Sequence, residues 1–227
     1  MFLSRRKFLN YINCTGLTAI STPLFGSIQS SDNHHLLNYF KFSVGEIKIT
    51  VVSDGGFQLP ISSIDINSSE ENLKKYLKHY HMQEDHIYMN TNLAVIEVED
   101  KKLLIDVGSG SRFIGNTGKL FDNLSKANID PESITNVFLT HAHPDHILGI
   151  RDDFDETIFP DAEFMISEKE YGWWTKKNRV NEVDETFMQM VLWAQNSLNA
   201  IPEISLFKNE KSILPGVTVF ETSGHSP

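Results

Sequence analysis

The chain has 227 residues and a single cysteine, Cys14. With one thiol near the start, no disulfide can close within the chain and no cysteine nucleophile exists downstream. Concentrated positive charge is also lacking. The formal net charge is −10, and charged stretches such as Arg151 to Glu156 are acidic, so nucleic acid is a poor partner: a phosphate-binding surface needs clustered Lys and Arg. Beyond residues 1–30, no apolar stretch is long enough to span a bilayer, which argues against a stable membrane anchor. Internal repeats and low-complexity tracts are absent. What remains suits one α/β domain of about two hundred residues.

Against these absences stands one concentrated feature. Thr140-His141-Ala142-His143-Pro144-Asp145-His146 puts three of the nine histidines and a carboxylate in one short stretch, directly behind the apolar run Val137-Phe138-Leu139. At a strand end alternate side chains point to opposite faces, so His141 and His143 can turn the same way and grip one cation. Pro144 fixes its own φ and biases His143 towards an extended backbone, so the chain turns there. Asp145 and His146 are then directed to a neighbouring second ion. A solvated polar loop is the plain alternative, but clustered imidazoles behind a buried strand are hard to keep uncharged without a partner or a cation.

The H-x-H-x-D-H pattern resembles the signature of the metallo-β-lactamase superfamily. Leu103-Leu104-Ile105-Asp106-Val107-Gly108 is similar to its strand ending in Asp-Thr-Gly, with valine for threonine. Thr222-Ser223-Gly224-His225-Ser226-Pro227 is similar to its T-P-G-H-T-P segment, with serine for the first proline. The resemblance implies a four-layer αββα fold, a first metal held by His141, His143 and His225, and a second held through Asp145 and His146. Asp106 would stand behind the ligands, accepting a hydrogen bond from a loop backbone or a metal-bound histidine. The family completes the second site with an aspartate and a histidine downstream of the G-H segment. The resemblance therefore implies a domain over residues 43–227 that is truncated in its second half. Val44 to Gly55, with its Ser53-Asp54-Gly55 turn, narrows the likeness to the methyl parathion hydrolase-like branch. The expected activity is hydrolysis of a small-molecule ester, lactone or phosphotriester by a metal-bound hydroxide, with Asp145 orienting it or taking its proton. Zinc is the default metal, with iron, manganese or cobalt able to occupy the same ligands. Two other classes stay open: an iron-dependent persulfide dioxygenase of the same fold and a non-catalytic metal-binding protein. A homodimer is compatible with all three.

Along the chain, Glu46 to Ser53 reads as a strand, Glu70 to Tyr80 as a helix, Asn92 to Glu97 and Lys102 to Gly108 as paired strands, and Gly118-Lys119-Leu120 as leading into a helix. Ser167-Glu168-Lys169-Glu170 has the form of a capping box, making Glu170 structural. Between Asp184 and Asn199, Phe187, Met188, Val191, Leu192, Ala194 and Leu198 recur at helical spacing. The segment from Tyr171, with Trp173, Trp174, Phe187 and Trp193, reads as part of the core or as an aromatic wall at the mouth of the site. His79, His81 and His86 lack a matching carboxylate pattern and read as surface residues.

Before the domain, residues 31–42 read as a linker. Ser4-Arg5-Arg6-Lys7-Phe8-Leu9, followed by a modest apolar run through Phe25, resembles a twin-arginine export signal over residues 1–30. Its removal takes Arg5, Arg6 and Lys7 and no acid, carrying the formal charge from −10 to −13. The expected partner is the twin-arginine machinery and the expected location periplasmic or extracellular. Replacing Arg5 and Arg6 together by lysine should strand the protein in the cytoplasm, as cell fractionation would show. Undiminished export of that double variant would contradict the signal.

Overall fold

The computed structural model describes residues 37–63, 68–154 and 156–226. Residues 1–30, read as an export signal, lie outside them. Among the described residues no helix is long and apolar enough to cross a membrane.

Seven strands form one sheet in chain order: β1 (Tyr39–Val44), β2 (Ile47–Pro60), β3 (His86–Val98), β4 (Lys101–Ile105), β5 (Asn136–Leu139), β6 (Glu163–Ser167) and β7 (Ile204–Phe207). The first four run antiparallel, β1 to β2 and β3 to β4 through short reversals and β2 to β3 across a longer helical segment, and the last three lie parallel to β4. Parallel neighbours need a crossover. Helix α1 (Glu70–His79) precedes β3, α2 (Leu120–Lys126) links β4 to β5, α3 (Pro144–Ile147) follows β5, and α4 (Glu168–Thr175) with α5 (Glu185–Leu198) links β6 to β7.

Period-two alternation along the strands divides the core between two faces. Val52, Val95, Leu104, Val137, Leu139 and Ile166 pack with Leu120 and Leu124 of α2, Trp174 of α4, and Val191, Ala194 and Leu198 of α5. On the other face Leu103, Ile105, Phe138 and Met165 meet Leu214 and Val217 of a hairpin, β8 (Lys211–Leu214) and β9 (Val217–Val219). The described residues thus comprise a helical layer, a seven-stranded sheet and a two-stranded sheet.

Two boundaries differ from the sequence reading. The stretch 31–42, read as linker, already contains the start of β1 at Tyr39, because Phe40, Phe42 and their neighbours pair with the β-branched run Ile49 to Val52. Ser53-Asp54-Gly55 does not end its strand in a turn. The register shifts there in a β-bulge, and β2 continues to Pro60 against His86–Thr91. Gly55 sits at φ +98°, where an added Cβ would lie 1.9 Å from the Asn116 carbonyl oxygen, so only glycine fits.

The bulge aims the Asp54 side chain inward. Its Oδ2 accepts from the Ser109 N–H at 2.8 Å and its Oδ1 from the Leu120 N–H at 2.9 Å, tying the loop after β4 to the first turn of α2. Burial pushes the Asp54 carboxyl above its ordinary range, against the opposing pull of these N–H donors. An amide can offer one acceptor oxygen, so Asp54→Asn sets an N–H against an N–H. The expected loss is about 1–3 kcal/mol of unfolding free energy, read as a lower urea midpoint at unchanged slope. An unshifted midpoint would show that Asp54 does not hold these loops.

Candidate metal centre

Strand β5 ends at Leu139, and the next residues keep its alternation: Ala142 is fully buried while His141 and His143 lie on the opposite, half-buried side. Pro144 opens α3 at its first turn, and His143 before it is extended at φ −70°, ψ 153°. The imidazoles therefore project from the C-terminal edge of the sheet. His141 Nε2 lies 3.1 Å from His143 Nδ1, and His143 Nδ1 lies 3.1 Å from His225 Nε2. One ligand atom from each of the three falls within 4.8 Å of the others.

Hydrogen bonds behind the motif fix which nitrogens His141 and His146 present. A carboxylate only accepts, so Thr140 Oγ1 donates to Asp106 Oδ2 at 2.8 Å. Having given its one proton, that hydroxyl accepts from His141 Nδ1 at 3.0 Å, leaving the His141 Nε2 lone pair free. Asp106 Oδ2 also accepts from His146 Nδ1 at 2.8 Å, so His146 presents Nε2, 3.4 Å from Asp145 Oδ2. The other oxygen, Asp106 Oδ1, accepts from the Thr140 N–H at 2.7 Å. Asp106 is buried and holds φ +60°, a left-handed conformation that costs an aspartate less than most side chains. The loop it begins is clamped to the motif: Val107 N donates to the His146 carbonyl, and a Cβ on Gly149 would lie 1.9 Å from the Val107 carbonyl oxygen.

Electrostatics separate the histidines into two kinds. Burial, then the neighbouring imidazoles, push His141 down to about 3. Burial and His225 push His143 down to about 4. Both are therefore neutral donors at ordinary pH. Burial opposes charge on His146 as well, but hydrogen bonds to Asp106 and Asp145 outweigh it and raise the group to about 10. Asp145 is held below its usual value: burial would raise it, and the hydrogen bond and charge of His146 prevail.

This donor set fits a metal ion. One proton can lie between any two of the three contacting nitrogens, so a metal-free trio is left with lone pairs facing one another. A dication accepts all three at once. Donors on a tetrahedral zinc with bonds of about 2.0–2.1 Å stand roughly 3.3–3.4 Å apart, close to the 3.1 Å contacts observed. Asp145 and His146 adjoin the trio, with the His146 ring 4.0 Å from that of His141, and His146 would join Asp145 as a donor on giving up its Nε2 proton to an entering cation.

All six residues singled out in the sequence, Asp106, His141, His143, Asp145, His146 and His225, thus converge on one edge of the sheet. The second histidine group does not join them: His79 and His81 are exposed, and His86 pairs with Asp85 at 2.8 Å. Three further residues take part. Thr140 relays Asp106 to His141. Trp174 is fully buried, its indole edge-on to His143 with centroids 5.7 Å apart, so of the two readings of its segment, core and open wall, it takes the core one. Glu170 was assigned to a capping box, yet Ser167 makes no side-chain capping bond and the Glu170 carboxylate turns inward beneath the motif. A glutamate and a tryptophan four apart, on the same helix face, were the available signal.

Residues 88–187 match the family model of the Metallo-beta-lactamase superfamily. A search of curated proteins gave no match. Among solved structures the chain is similar to AidC, a dizinc quorum-quenching lactonase determined with a product, N-hexnoyl-L-homoserine, at 29% identity and TM-score 0.71 over 78% of this chain and 64% of that one. It is also similar to hydrolase AbOPH of the beta lactamase superfamily, at 23% identity and TM-score 0.69 over 78% of this chain and 63% of that one, a likeness of fold. The chain thus spans somewhat under two thirds of the length of these relatives. With the superfamily's pattern over residues 88–187 and these structural neighbours, the chain is a protein of the metallo-beta-lactamase fold.

Proposed function

We propose that the protein is a metal-dependent hydrolase of the methyl parathion hydrolase-like branch, opening a small-molecule lactone, ester or phosphotriester. The convergence of the three imidazoles carries this reading: His143 Nδ1 lies 3.1 Å from both His141 Nε2 and His225 Nε2, with one ligand atom of each histidine within 4.8 Å of the others. The 29% identity to a dizinc lactonase supports it and favours lactones within the panel of substrates. His141, His143 and His225 would hold a first ion, and Asp145 with His146 would contribute to a second. Zinc suits the donors, with iron, manganese or cobalt as alternatives. Bound metal would supply Lewis-acid polarisation of the substrate oxygen and lower the pKa of a coordinated water towards about 7.

The chain's own residues supply the rest. Asp106 and Thr140 hold the His141 and His146 rings in orientation, so the nitrogens these two present need not turn when an ion enters. Asp145, kept ionised beside His146, is placed to accept a proton from the attacking water. The export reading belongs to the same proposal and is supported by Arg5-Arg6-Lys7-Phe8. A folded, metal-loaded enzyme would then act in the periplasm or outside the cell.

Assays of the full-length zinc- or manganese-loaded protein on aryl esters, acyl lactones and phosphotriesters should show turnover of at least one class. Asp145→Asn should lower kcat and kcat/KM together by roughly 10²–10⁴-fold, with KM within about three-fold. Oxygen uptake with glutathione persulfide, and no hydrolysis of any panel member, would overturn the hydrolase reading.

A further inference from the structure

We infer that Glu170 is a positioning residue that pre-sets the three-histidine donor set, by tying the backbone or packing neighbour of each ligand to one buried carboxylate. The inference rests on the metal reading of those histidines and concerns how they are held. Glu170 lies in the first turn of α4 and is 5% exposed. Its Oε1 accepts from the Ala142 N–H at 2.9 Å, the peptide between His141 and His143. The same oxygen accepts from Trp174 Nε1 at 2.6 Å, and the Trp174 indole packs edge-on against His143. Its Oε2 accepts from Ser226 Oγ at 2.7 Å, the residue next to His225.

These contacts join segments remote in sequence: residue 142 is 28 positions before Glu170, and Ser226 is 56 after it. His225 belongs to an exposed loop, and Gly224 before it sits at φ +131° in open space. Neighbouring contacts hold His141 and His143 on the sheet edge, whereas the Ser226–Glu170 hydrogen bond tethers the third ligand to the same frame. Asp106 reaches His141 through Thr140 and His146 directly, so the two buried carboxylates divide the work. Asp106 sets ring orientation on one side of the motif. Glu170 sets backbone position and the approach of His225 on the other.

Geometry and charge make different demands here. A glutamine at position 170 keeps one oxygen for both the Ala142 and Trp174 donors, and its amide can donate to Ser226 Oγ, which also accepts. It preserves all three tethers without the charge. Alanine removes them all, and Ser226→Ala removes one on an exposed loop. Outer groups that position metal ligands typically contribute 10–100-fold in affinity.

Competitive cobalt titration of the full-length metal-free protein against a coloured chelator reads the effect, with the cobalt d–d spectrum and thermal melting of the metal-free form recorded alongside. Ser226→Ala should weaken cobalt binding about ten-fold and Glu170→Ala about 10–100-fold, with an altered d–d envelope, while Glu170→Gln stays within about three-fold. The Ser226→Ala melt should match wild type, so its loss is not unfolding. His141→Ala tests the underlying metal reading. If it binds cobalt like wild type, the three-histidine site itself fails. If it loses cobalt but Ser226→Ala binds like wild type, the tether account is overturned. Weakening by Glu170→Gln as large as that by Glu170→Ala would overturn it too. Should Glu170→Ala not fold, Ser226→Ala and Glu170→Gln decide alone.

Discussion

Imidazole nitrogens about 3 Å apart with their lone pairs facing one another are not a stable arrangement in isolation. Something must hold them there, and the local structure is organised around that constraint. Two buried carboxylates, Asp106 and Glu170, take up the outward-facing donors of the motif: the Thr140 and Ala142 N–H groups, the His146 Nδ1 proton and, through Thr140, that of His141. With His141 Nδ1 engaged from outside, its Nε2 faces His143 Nδ1, which in turn faces His225 Nε2, and these inner nitrogens have one another or a cation to face.

The carboxylates can do this because the sheet brings them to one edge. Asp106 follows β4, the histidines follow the adjacent parallel strand β5, and Glu170 follows β6, the next neighbour. Three consecutive parallel strands end together and deliver a carboxylate, a ligand loop and a second carboxylate side by side. Asp54 serves the same edge from β2: its bulge fixes the Ser109 and Leu120 amides and so the loop that Asp106 begins. Burial of Leu104, Val137 and Ile166 in one core holds these strand ends in register. Function at the edge thus depends on apolar packing beneath it.

Much of this was legible in the residues. The alternation of His141, Ala142 and His143 behind an apolar strand carries its geometry openly, because a strand end has only two faces. Pro144 announces the turn. Asp106 before Val107-Gly108 marks the neighbouring strand's exit, and Val191, Ala194 and Leu198 declare their helix face. Less could be read where a residue's partner is remote. Glu170 has the right spacing for a capping box, and local pattern cannot show that its oxygens reach Ala142 and Ser226 instead. The Ser53-Asp54-Gly55 stretch reads as a turn by composition, and only pairing with β3 reveals a bulge. Phe40 and Phe42 lack a local strand pattern until β2 supplies their register.

The central claim is that His141, His143 and His225 together hold a metal ion. X-ray absorption at the zinc edge of the zinc-loaded full-length protein addresses it directly. The account predicts a first shell of nitrogen and oxygen at about 2.0–2.1 Å, with the outer-shell scattering of several imidazoles and no sulfur. A shell of oxygen alone, without imidazole scattering, would contradict it.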